Sequence, residues 1–248
     1  MITKQEIQAG RDIEAGDFPN TPQEYQDLVV KMVFNHATNE MVVLDEEIYG
    51  RWVEHAPTVD DRFRVALTIH EEIGHGLKVY ELLNQIRNYV DITQITPYSK
   101  TKRGFDSFRH PCATWSDFAA FTFLLDRCGM HQQREQIDCS FAPFARLIKH
   151  TILPEETAHT SRGYEWLKRI SSDPKGRQEA QEAVDRWYPR ALDTLGYSNS
   201  DRSRKFIEWR LKKRTNEERR QAYIQEVSPI IESIGLRVPD PLKNRKVL

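Results

Sequence analysis

Two short stretches decide how this chain folds: Glu72-Ile73-Gly74-His75 and Glu156-Thr157-Ala158-His159. Each lies in a segment with helical periodicity, where residues three apart share a face, so each carboxylate stands one turn from its imidazole. A single Glu-x-x-His is a common accident of solvated helices. Two of them, each preceded by a helix carrying an inward acid at matching depth, form the pattern of a carboxylate-bridged dimetal site in a four-helix bundle.

Depth follows from symmetry. In an antiparallel helical hairpin, residues at one height are symmetric about the connection. Glu40 and Glu72 are symmetric about residue 56, inside the connecting stretch RWVEHAPTV (51–59). Asp126 and Glu156 are symmetric about residue 141, inside the second connection at 138–143. Asp117 and Glu135 fail, because they centre the turn within the third or the fourth helix. The candidate ligands, which are also the candidate catalytic residues, are therefore Glu40, Glu72, His75, Asp126, Glu156 and His159. Asp126 departs from the general pattern in being an aspartate. Four carboxylates and two imidazoles suit two iron ions, or manganese. Their combined charge balances two divalent cations, which explains how acids survive in a core where each unpaired carboxylate would cost several kcal/mol.

The remaining composition narrows the class. At 248 residues the chain fits one domain, 1–248, with a sizeable core. Apolar content of 39% with 29% charged residues suits amphipathic helices, and a net charge of −1 gives no general drive toward nucleic acid or membrane. The longest apolar run, Phe118 to Leu125, is too short to span a bilayer. Cys112, Cys128 and Cys139 lack metal-type spacing and read as reduced thiols of a cytoplasmic protein.

Along the chain, residues 1–20 read as an N-terminal arm and 21–170 as the bundle. Thr21-Pro22-Gln23-Glu24 reads as a capping box opening a helix that runs to about Tyr49 and stops at Gly50. Thr58 opens a second helix, about 59–84, with Phe63, Ala66, Leu67, Ile73, Leu77 and Leu82 on its apolar stripe. An irregular crossover follows at 90–113. The third helix is expected over about 115–137 and the fourth from Pro143 to about Ile170, bent at Pro154. C-terminal helices at about 178–194, 199–213 and 216–234, with a tail, complete 171–248.

The stretches NHATNE (35–40), EEIGHG (71–76), WSDFAAFTFLLD (115–126), FAPFAR (141–146), PEETAH (154–159) and VPDP (238–241) resemble the catalytic subunits of phenylacetyl-CoA epoxidases, with the benzoyl-CoA epoxidase subunit sharing the site pattern. The likeness runs over about residues 20–242. An aspartate is the family's ligand on the third helix, in line with Asp126. The chain departs at Thr68, where a basic residue is common, at Gln132, and by one extra residue near Pro154. The resemblance implies a ferritin-like all-α fold and a di-iron monooxygenase. The implied reaction is O2-dependent epoxidation of an aromatic acyl-CoA ring, with electrons from a separate NADPH-linked flavin/iron–sulfur reductase, in a homo- or hetero-oligomer. The rival readings are an iron-storing ferritin-like protein and a non-catalytic scaffold subunit. The six ligands, the long crossover and the helices after 170 weigh against both.

Beside that site, Lys31, Lys100, Lys102 and Arg103 are candidates to grip the phosphates of coenzyme A, against a reading as solvated surface cations. His36, one turn before Glu40, reads as a hydrogen-bonded core histidine or a partner of the site. His70 and Glu71 flank the first motif on other faces of its helix and read as non-ligands. Residues 202–220 carry nine Lys or Arg, which read as a face paired with acids or as a docking surface. Phe118, Phe121, Phe123, Leu124 and Leu125 form an apolar wall beside Asp126.

Overall fold

The computed structural model describes residues 1–87 and 105–247. Lys100, Lys102 and Arg103 fall outside the described residues. Four helices surround the centre: α2 (Gln23–Glu40), α4 (Val59–Ile86), α5 (Trp115–Gln136) and α7 (Leu153–Ile170). They pack as two hairpins, α2 against α4 and α5 against α7. Short helices α1 (Lys4–Gln8), α3 (Trp52–His55) and α6 (Ala142–Leu147) lie in the arm and in the two connections. α8 (Pro174–Thr194) covers α5, followed by α9 (Asp201–Glu208) and α10 (Asn216–Ser233). Among the described residues there is no strand, only a bridge between Ile13 and Phe141 that ties the arm to the body. None of the described helices is long and apolar enough to cross a membrane. The architecture is an all-α, ferritin-like bundle with additional C-terminal helices.

Capping chemistry sets the best-defined starts. Thr114 accepts a hydrogen bond from Asp117 N–H while the Asp117 carboxylate reaches back to Thr114 N–H. Thr215 and Glu218 do the same for α10. Thr58 caps α4 through Asp61 N–H at 3.1 Å. Such caps are worth about 1 kcal/mol each.

Several expected boundaries need correction. α2 stops at Glu40 rather than near Tyr49; a 3-10 turn (Met41–Leu44) and a π turn (Glu46–Gly50) follow. The break has two local causes. The β-branched pair Val42-Val43 is a poor helix former, and the Asp45 side chain starts a new turn by accepting from Glu47 N–H at 2.9 Å. Thr21 does not cap α2, because its hydroxyl bonds Phe18 C=O, while Glu24 pairs with Lys205. α8 begins at Pro174, capped by Asp173, rather than near residue 178. α9 is shorter than expected.

The fourth helix is divided into α6, a π segment (Ile148–Ile152) and α7. A π turn holds one residue more than a regular helical turn, and this one stands just before Pro154. Pro154 sits in the first turn of α7, where its missing N–H costs nothing.

The expected apolar stripe of α4 holds only in part: Leu82 is buried and Ile73 packs against the core, but other members face outward. Phe63 is 64% exposed and Leu77 37%, and Ala66 faces solvent. The inward face carries Asp61, Val65, Thr68, Glu72, His75, Gly76 and Val79 instead.

Two glycines allow close approach at the centre, one to a backbone and one to a side chain. A Cβ on Gly163 would lie 2.4 Å from Phe123 N and 2.8 Å from its Cα, so α7 touches the backbone of α5 there. A Cβ on Gly76 would lie 2.4 Å from Met41 Cε, beside Glu40 at the end of α2.

Candidate metal centre

The six expected ligands sit on four different helices. Glu40 is the last residue of α2, Glu72 and His75 lie one turn apart on α4, Asp126 is on α5, and Glu156 and His159 are on α7. Ligand atoms of Glu40, Glu72, His75 and Glu156 all lie within 4.8 Å of one another, and all four residues are buried. His75 Nδ1 is 3.7 Å from Glu40 Oε2 and 3.8 Å from Glu72 Oε2. His159 Nδ1 is 2.8 Å from Glu72 Oε1 and 3.5 Å from Glu156 Oε2. Glu72 thus lies between the two imidazoles, whose ring centres are 6.4 Å apart. Asp126 stands outside the tightest group but lines the same cavity as Glu40, Glu72 and Glu156.

Directions matter as much as distances. Neither inward Nδ1 is aligned for a hydrogen bond, even where a carboxylate oxygen is 2.8 Å away, and Asp126 Oδ2 is buried without a partner. Both outward Nε2 atoms are engaged: His75 with Glu155 Oε2 at 2.7 Å, His159 with Glu71 Oε2 at 2.8 Å. Gln133 donates to Glu156 Oε1 at 3.0 Å, fixing that carboxylate. His36 Nε2 lies 2.7 Å from Glu40 Oε1 on the far side of the acid.

The charges are mutually dependent. Burial opposes ionisation of Glu40, but the attraction of His36 and the polar neighbours Glu72 and His75 hold it below the usual carboxylate range. Burial and the neighbouring Glu40 charge push Glu72 up. Asp126 is driven well above its ordinary value by burial, then by Glu156 and Glu72. Burial disfavours both imidazolium ions, yet the carboxylates around them raise His75 to about 11 and His159 to about 12. Without another cation, the protons on these histidines are what balances the acids.

Sequence reasoning names the six candidate ligands but not the residues behind them: Glu71, Glu155, Gln133 and Arg162. A signal for the first two is present, since in both motifs the ligand glutamate follows another glutamate, Glu71-Glu72 and Glu155-Glu156. The rejected acids have structural partners. Asp117 bonds Arg186 and Trp187, and Glu135 pairs with Arg214.

The central cavity, about 80 Å³, is walled on its apolar side by Phe105, Phe108, Phe121 and Leu125. It meets an outer cavity of about 280 Å³ at Phe105, Gln132, Thr194 and Leu195. Lys31 lines that outer space with Arg202, Lys212 and Arg219, against one acid, Glu135. Burial, then the nearby Arg219, lowers Lys212 to about 7. The rest of the cationic run is largely paired: Lys205 with Glu24, Arg210 with Asp12, Lys213 with Asp138. The three cysteines are buried and free.

Comparison with known proteins agrees with this geometry. The chain matches the family described as phenylacetic acid catabolic protein over residues 12–246. Over 227 residues it is 30% identical to one of the subunits of the 1,2-phenylacetyl-CoA epoxidase of Escherichia coli (strain K12), covering 89% of this chain and 71% of that protein. With the match spanning nearly its whole length, this chain belongs to the phenylacetic acid catabolic protein family.

Proposed function

We propose that this chain is the oxygen-activating subunit of an aromatic acyl-CoA epoxidase, with two iron ions held by Glu40, Glu72, His75, Asp126, Glu156 and His159. The observation that carries the reading is the convergence of two buried Nδ1 atoms without hydrogen-bond partners and an orphaned Asp126 oxygen on a buried group of carboxylates. That donor set fits the ions. Hard oxygen donors with two imidazoles suit ferrous or manganous ions, and two divalent charges replace the histidine protons as the balance for four acids. When bound, the iron pair supplies the electrons and Lewis acidity needed to activate O2 for transfer to an aromatic ring.

The protein's own residues do the rest. Phe105, Phe108, Phe121 and Leu125 give an aromatic ring a dry wall beside the metal positions. Gln133 keeps Glu156 turned inward. Lys31, with Arg202, offers charge in the outer cavity to the phosphates of coenzyme A. Reducing equivalents come from a separate flavin/iron–sulfur protein, and further subunits complete the assembly.

The test is anaerobic loading with Fe(II), followed by O2 consumption and product analysis against a panel of aryl-CoA thioesters with a reductase supplied. We expect two irons per chain and turnover of an aromatic thioester. Full iron content and activity after Glu72→Ala or His159→Ala would overturn the assignment.

A further inference from the structure

We infer that Glu71 and Glu155 are positioning residues that cross between helices, each orienting the metal-binding imidazole of the opposite motif, and that they make the two metal positions unequal. This rests on the metal reading above. Successive helical residues project about 100° apart, so in each Glu-Glu pair the second carboxylate enters the site while the first lies on the flank. Glu71 is one turn from His75 on its own helix, yet it bonds His159 on α7 at 2.8 Å. Glu155 is one turn from His159, yet it bonds His75 on α4 at 2.7 Å.

Accepting the Nε2–H proton fixes the tautomer that leaves Nδ1 free, aims the ring and raises its basicity. The two supports differ. Glu71 is 19% exposed and also receives Arg162 Nη1 at 3.1 Å, and Arg162 in turn donates to Thr68 at 2.7 Å. That chain pins the Glu71 carboxylate before any ion arrives. Glu155 is 41% exposed, and among the described residues His75 is its one polar partner. A half-solvated carboxylate is less firmly placed, and its bond is weaker. The His159 position is therefore the better preorganised, and the His75 position the one that loads second and empties first.

The experiment is anaerobic titration of the full chain with Co(II) and with ⁵⁷Fe(II), reading stepwise affinities by calorimetry and the two ferrous environments by Mössbauer spectroscopy. Loss of an outer carboxylate typically costs about 10–100-fold in affinity. Glu71→Gln is expected to weaken the tighter step by that factor and to shift one Mössbauer doublet. Glu155→Gln is expected to weaken the looser step, by less than about 10-fold, and to shift the other doublet. The double variant should combine the two losses. Arg162→Gln, which frees Glu71 without touching a histidine, should weaken the same step as Glu71→Gln and stands in for it if that variant does not fold.

Equal weakening of both steps by either variant would show that these bonds only hold α4 to α7, and the inference fails. It also fails if neither step moves while the wild type binds two ions. A wild type that binds no ion pair would instead overturn the proposed function.

Discussion

Helices α4 and α5 begin alike and then diverge. Each opens at a threonine cap, Thr58 or Thr114, and three residues on each carries a buried aspartate. Asp61 accepts Trp166 Nε1–H at 2.9 Å and Arg169 at 2.6 Å. Asp117 accepts Trp187 Nε1–H at 3.1 Å and Arg186 at 2.9 Å. One indole and one guanidinium from a later helix anchor both starts. Beyond that turn, α5 buries Phe118, Phe121, Phe123, Leu124 and Leu125, whereas α4 buries Thr68, Glu72 and His75 and leaves Phe63 and Leu77 outside. Along these stretches α5 buries apolar groups where α4 buries polar ones, although Val65, Val79, Leu82 and Leu83 of α4 also join the core. The same helix start thus supports two different kinds of interior.

The largest effects should come from the apolar side of this contrast. Phe121→Ala empties volume between Tyr49 and Trp187 and is expected to cost about 3–5 kcal/mol in denaturant unfolding. Phe63→Ala on α4 should stay within about 0.5 kcal/mol. If the two losses were equal, α4 would be seated as α5 is. Close behind comes Gly163→Ala, whose Cβ would press on the Phe123 backbone. It should cost about 1–3 kcal/mol and reduce metal loading together with stability.

The two anchors give a pH test. The Asp61 carboxyl is pushed up by burial, but the Arg169, Thr58 and Trp166 bonds outweigh this and hold it below its ordinary value. A group with a depressed folded pKa binds fewer protons folded than unfolded. Its stabilisation is therefore complete above the unfolded value, near pH 4, and is lost as pH falls through the folded one. Asp61→Asn should flatten the acid limb of a stability–pH curve and lower stability at pH 7 by about 1–3 kcal/mol. A small gain is expected at Gly74 on the outer flank of α4, where a Cβ meets nothing within 4 Å. Gly74→Ala should raise thermal stability by roughly 0.5–1 kcal/mol through helix propensity alone. A fall would mean that this flank is in contact with something.

Much of the bundle is legible because capping residues and Glu-x-x-His spacing act locally. Thr58, Thr114 and Thr215 mark true helix starts, and hairpin symmetry alone puts Asp126 opposite Glu156. The misplaced part of the α4 stripe has a physical origin: periodicity reports the buried face only where burial is driven by apolar transfer. Phe63, Ala66 and Leu77 obey the period but point away from the buried acids. Glu71 and Glu155 are beyond reach for a related reason. Their partners lie 88 and 80 residues away in sequence, and only the packing of α4 against α7 brings them together. The early end of α2 depends on the small turn chemistry of Asp45.

The π segment at Ile148–Ile152 has a consequence for how this chain can change. Removing one residue there would restore a regular helix and swing everything downstream by about 100° around its axis. Glu156 and His159 would then face neighbouring helices, and Gly163 would no longer meet Phe123. The wide turn is a phase-setting device: the second half of the site stays in step with the first only while that surplus residue is kept.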